Sequence, residues 1–128
     1  MSKVFEILSV KSLSLGNTIA DALEHIGDRY GAIVTVTDDE NRLLGVVSAG
    51  DLRKQILNGQ TVDTSLERVI NREPITITDS ELDNPEILNI VLERIERLYD
   101  RGNLLYALVP VVDKNHKIVG LASLQSLE

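Results

Sequence analysis

Ser48 and Asp51 stand three residues apart in Gly45-Val46-Val47-Ser48-Ala49-Gly50-Asp51, where a β-branched apolar run meets a helical one. The helix expected there runs from Asp51 to Leu57, with Leu52 and Ile56 four apart on one face. A hydroxyl followed three residues later by a carboxylate is capping chemistry. The serine oxygen takes an N–H of the first turn, and the carboxylate sits favourably against the helix dipole. Other chemistries find little footing. There is no cysteine, hence no thiolate nucleophile or ligand, and His25 and His116 are too isolated to make a metal site. Asp79, Glu81, Asp83 and Glu86 miss the spacing of a calcium loop and read as a solvated acidic stretch. No base, nucleophile or metal constellation is visible, so no catalytic residue is assigned.

The capping stretch occurs nearly twice. Gly120-Leu121-Ala122-Ser123-Leu124-Gln125-Ser126 repeats the glycine, the apolar pair and the serine 75 positions on (120 − 45), with Ser126 in place of Asp51. Asp38 and Asp113, Arg42 and Lys117, and Leu43 and Ile118 keep the same offset, so the chain is a tandem repeat of one small unit. Gly45 and Gly120 both interrupt a strand, where a bulge or a close backbone approach is the usual cause. Pro110 lies within a strand and requires a position not hydrogen-bonded on both sides.

At 128 residues the two units are each marginal alone and stable together. An apolar content of 43% is that of an ordinary globular protein, and no run approaches the roughly 20 residues that cross a bilayer. The formal charge of −7 disfavours nucleic acid as a partner, because phosphate backbones reward lysine and arginine. The expectation is a cytoplasmic protein with no membrane or nucleic-acid partner.

Local signals divide the chain into a first repeat over residues 10–60, a linker with a short helix over 61–74, and a second repeat over 75–128 that stops at its last helix. In the first repeat, Val10 to Ser14 reads as a short strand and Asn17 or Thr18 as a helix cap. Ile19, Ala22, Leu23, Ile26 and Tyr30 trace one helical face that Gly31 ends. Ala32–Thr37 and Arg42–Val47 form a hairpin about Asp38-Asp39-Glu40-Asn41. In the linker, Thr64-Ser65-Leu66-Glu67 has capping-box spacing and predicts a helix over 65–70. In the second repeat, Ile75–Thr78 alternates as a strand, Asp79–Asn84 is an acidic loop and Pro85 opens a helix whose apolar face is Leu88, Val91, Leu92, Ile95 and Leu98. The second hairpin joins Tyr106–Val112 to Lys117–Ala122.

These residues resemble the cystathionine-β-synthase (CBS) domain family, whose members usually occur as tandem pairs. The family signature is a glycine, two apolar residues, serine or threonine, two variable residues and aspartate. Gly45 to Asp51 matches it throughout, and the copy at Gly120 matches through Ser123. The resemblance implies an α/β (α+β) fold of two β-α-β-β-α repeats packed with pseudo-twofold symmetry, associating further as a homodimer. It also implies a regulatory module that binds an adenosine-type nucleotide, such as AMP, ADP or ATP, between the repeats. Carried onto this chain, Asp51 would hold the ribose hydroxyls and Ser48 the phosphate. Thr18 would add a contact on the ribose or phosphate side, and Leu13, Ile33 and Val47 would wall the base. Arg53 and Lys54 are near enough in sequence to neutralise phosphate, although Arg53, like Arg72, also reads as a plain surface charge. S-adenosylmethionine and guanine or sugar nucleotides stay open as ligands, and the copy ending in Ser126 lacks the carboxylate. The stretch from Leu44 to Ile77 is similar to pairs attached to sugar-phosphate nucleotidyltransferases, which implies fusion to or association with such an enzyme. A ligand-free dimerisation or scaffold module is the alternative.

Overall fold

A computed structural model describes residues 3–8, 10–27, 33–98 and 108–126. The sequence readings at Tyr30, Gly31 and Tyr106 lie outside these residues. The chain divides into two compact units. One is Lys11–Pro74; the other joins Met1–Val10 to Ile75–Glu128.

In the Lys11–Pro74 unit, helix α1 (Ile19–Ile26), strands β2 (Ile33–Thr37) and β3 (Leu43–Ser48) and helix α2 (Ala49–Leu57) follow in order. Leu13 runs parallel to β2, bonded through Leu13 N–H to Thr35 O at 2.9 Å and Thr37 N–H to Leu13 O at 2.9 Å. β2 pairs antiparallel with β3, and Asn71 closes the far edge by exchanging two bonds with Val46. Strand alternation sends Val34, Val36 and Val47 to one face, where α1 (Ile19, Ala22, Ile26), α2 (Leu52) and Leu66 and Val69 bury them. The stretch 61–74 therefore helps build this core. Its short helix is a single 3₁₀ turn, Leu66–Arg68, whose cap Ser65 donates to the Leu15 carbonyl at 2.6 Å. Helix α1 ends at Ile26, earlier than the apolar spacing suggested, because Gly27 takes φ 58° as its cap.

The other unit holds β1 (Lys3–Leu8), β4 (Ile77–Thr78), a one-turn helix α3 (Asp79–Leu82), α4 (Pro85–Leu98), β5 (Leu108–Val112) and β6 (Ile118–Ser126), with sheet order β1-β6-β5-β4. The acidic stretch after Thr78 is thus a helix, not a loop. Thr78 and Glu81 form a complete capping box, a T-x-x-E signal present in the sequence. Pro85 opens α4 as its spacing predicted. Pro110 is tolerated in β5 because β4 is only two residues long and begins pairing at Val111.

The repeat is exact at the level of register. Val36 faces Gly45 and Val111 faces Gly120, and in both hairpins the ladder slips by one residue immediately afterwards. Asp38 and Asp113 each fold a carboxylate oxygen back onto two turn N–H groups, those of Glu40 and Arg42 and those of Asn115 and Lys117, at 2.8–3.0 Å. Asn41 and His116 occupy the matching left-handed position, at φ 65° and 64°.

The repeats part after the serine. Ser48 ends β3 and starts a helix, whereas β6 continues through Ser123 to Ser126 and pairs with β1 from Leu8↔Leu121 to Lys3↔Ser126. The helix start expected beyond Ser123 is strand instead. β1 supplies a neighbouring edge there, and Ser126 brings no carboxylate to close a capping box.

Candidate ligand site

The first turn of α2 is built by its own side chains. Ser48 sits at φ −95°, ψ 162°, an extended cap conformation, and its Oγ accepts the Asp51 N–H at 3.0 Å. Asp51 Oδ2 accepts the Ser48 N–H in return, at 3.2 Å. Both side chains are half-buried. No residue among those described bonds to Asp51 Oδ1, so one carboxylate oxygen is held by the cap and the other is spare.

Thr18 repeats this arrangement at α1 with one further tie, from Asn17. Asp21 Oδ2 accepts both the Thr18 N–H at 2.9 Å and the Asn17 amide at 3.0 Å, and Asp21 N–H donates to Thr18 Oγ1 at 3.3 Å. Those donors, the Thr18 backbone first, hold the Asp21 carboxyl below its usual range.

The six residues singled out in the sequence do not come together. Ile33 pairs directly with Ser48, so Ile33, Ser48 and Asp51 share one end of the sheet. Leu13 lies beside Val36, three residues or about 10 Å along β2 from Ile33, and packs on the core. Thr18 follows the Leu13 segment beyond the Thr37 end of the sheet and is bridged to Ser65 there, so its cap and that of Ser48 face opposite ends. Val47 is fully buried in the core cluster. It neighbours Ser48 in the chain, but alternation along β3 turns its side chain to the helical face of the sheet. Thr35, not singled out before, is a completely buried polar residue; its Oγ1 meets Ser12 Oγ at 2.6 Å. A threonine centred in an apolar strand was its only sequence signal. Among the described residues no group of three or more histidine or acidic side chains could hold a metal ion, and no helix is long and apolar enough to cross a membrane.

Residues 4–58 match the CBS domain family model. The match is to one CBS domain and covers 55 of the chain's 128 residues. The matched stretch covers nearly all of the first repeat and of β1, a strand that pairs in the other unit. The fold is that of solved CBS pairs. CBSX2 of Arabidopsis thaliana in complex with AMP superposes with a TM-score of 0.61 at 24% identity, covering 90% of this chain and 84% of that one. The CBS domain pair of protein MJ0100, in complex with 5′-methylthioadenosine and S-adenosyl-L-methionine, gives 0.66 at 17% identity over 93% and 87%. Among curated relatives, a homoserine O-acetyltransferase of Methanosphaera stadtmanae is 27% identical over 93% of this chain but only 22% of its own length. The chain spans 22–36% of the length of the first curated relatives it matches.

Proposed function

We propose that this CBS module senses an adenine nucleotide at the Ser48–Asp51 end of its first repeat and passes the binding event to an attached or associated enzyme. The observation that carries the reading is the spare Asp51 Oδ1. A carboxylate whose second oxygen already serves the fold is preorganised, and it can accept from ribose hydroxyls without dismantling the cap. Ile33, on the neighbouring strand end, supplies apolar surface beside it. Two solved CBS pairs of the same fold hold adenosine-type ligands, which supports this class of ligand. The acetyltransferase relative, of which this region is a minor part, supports a module joined to an enzyme; a sugar-phosphate nucleotidyltransferase is the output class the sequence resemblance favours. Regulation then requires that the nucleotide bind one arrangement of the module more tightly than another.

Thermal melting against a panel of AMP, ADP, ATP, adenosine, 5′-methylthioadenosine and S-adenosylmethionine tests this. Ligand at a hundred times its dissociation constant adds about 2.7 kcal/mol, several degrees for a chain of this size. Asp51→Asn keeps an oxygen for the Ser48 N–H and removes the charge, so it should retain most of the stability and lose the ligand response. A panel that leaves the wild-type melt unmoved would make the Ser48–Asp51 pair a cap alone and the module a scaffold.

A further inference from the structure

We infer that residues 60–66 are a strap that seals the first turn of α1 against ligands, so that Thr18 is a structural cap and not a ligand contact. The part that concerns ligands rests on the adenine-nucleotide reading above; the strap itself does not. A helix start leaves four N–H groups without partners inside the helix. In α1 all four are taken. Thr18 N–H donates to Asp21 Oδ2 at 2.9 Å and Asp21 N–H to Thr18 Oγ1 at 3.3 Å, which closes the capping box. The middle two reach outside the helix. Ile19 N–H donates to the Thr64 carbonyl and Ala20 N–H to the Val62 carbonyl, both at 2.9 Å. Helix α2 closes its first turn with the same kind of box, yet among the described residues no acceptor meets the N–H of Ala49 or Gly50, the equivalent positions. At α1, two backbone carbonyls thus fill the places that an acceptor on a ligand would need.

The strap is fixed at both ends. At its start, Gln60 N–H donates to the Gln55 carbonyl in α2 at 3.0 Å. At its end, Ser65 Oγ donates to the Leu15 carbonyl at 2.6 Å and Leu66 N–H to the Asn17 carbonyl at 2.8 Å. The Leu66 side chain is fully buried in the core cluster with Ile19 and Ala22 of α1. A ligand could reach the Ile19 and Ala20 donors only by lifting backbone that is held on either side, and the displaced carbonyls would need new partners. Thr18 Oγ1 is engaged in the same turn by Asp21 N–H.

Amide exchange and proton–nitrogen NMR spectra of the wild-type protein titrated with AMP test this, together with Thr18→Ala. Protection factors at Ile19 and Ala20 should exceed those at Ala49 and Gly50 by more than about tenfold, since only the first pair has acceptors to break from. AMP should move the amides of Ile33, Ser48 and Asp51 and leave those of Ile19, Ala20, Val62 and Thr64 in place. Thr18→Ala should lower the melting temperature, as loss of a cap does, and keep the AMP affinity within about twofold. Equal protection at the two helix starts would overturn the strap. Shifts centred on Thr18–Ala20, or a tenfold loss of AMP affinity in Thr18→Ala, would make Thr18 a ligand contact while the nucleotide reading stands. If AMP, adenosine and 5′-methylthioadenosine all leave the spectrum unmoved, the nucleotide reading fails and the ligand half of this inference with it, and exchange alone decides the strap.

Discussion

Replacing Gly45 by alanine should be among the most damaging single-methyl changes in the Lys11–Pro74 unit. A Cβ at that position would fall inside van der Waals contact of the Asn71 carbonyl oxygen, and at 2.7 and 2.8 Å from Ile70 Cγ1 and Cδ1. Side chains can yield at such distances; a backbone carbonyl already bonded to Val46 N–H at 3.0 Å cannot move without opening the bridge. Two bonds join Val46 and Asn71, each worth about 0.5–1.5 kcal/mol, and forcing a methyl into a packed contact costs about 1–3 kcal/mol more. The expected loss is roughly 2–6 kcal/mol, a large share of the 5–15 kcal/mol typical of a folded domain. Urea unfolding followed by circular dichroism reads it as a fall in midpoint at unchanged slope. Gly50→Ala is the matched control. Its methyl would meet only ordinary contacts at 3.8 and 3.9 Å, in a helix that prefers alanine by up to about 1 kcal/mol. Gly45→Ala should destabilise and Gly50→Ala should not. Equal midpoints for the two variants, or a Gly45→Ala loss below about 0.5 kcal/mol, would refute the close-approach argument.

The Ser12–Thr35 pair, with Thr35 fully buried and Ser12 half-buried, should show coupling in a double-mutant cycle. Thr35→Val alone strands the Ser12 hydroxyl and should cost about 1 kcal/mol, and adding Ser12→Ala should recover part of it; strictly additive losses would show that the 2.6 Å contact does not matter. Acid should loosen the hairpin turns. The Arg42 and Lys117 backbone N–H groups hold the Asp38 and Asp113 carboxyls below their ordinary value, so their stabilisation is complete above the unfolded value of about 3.9 and is lost as pH falls through the lower folded values. Melting temperature against pH should therefore fall less steeply below pH 4 in Asp38→Asn and Asp113→Asn than in the wild type. Parallel acid limbs in all three proteins would count against the turns as the sensitive groups.

Much of the fold was legible because its signals are local. The Asp38 and Asp113 turns and the glycines at the bulges each depend on residues a few positions apart, and the ladders reproduce them in register in both repeats. The capping role of Ser48 and Asp51 was equally plain, since a cap is closed within four residues. What tertiary structure alone decided is long-range. Nothing within Lys3–Leu8 says that it will pair with residues 121–126, and that pairing turns the second copy of the signature from a helix start into a strand. Nor does spacing place Thr18 at the far end of the sheet from Ser48, because the separation arises only when Leu13 aligns parallel to β2. Sequence determined which residues could cap, turn and bulge; the pairing of distant edges determined which of them share a surface, because a backbone hydrogen bond between strands is specified by neither strand alone.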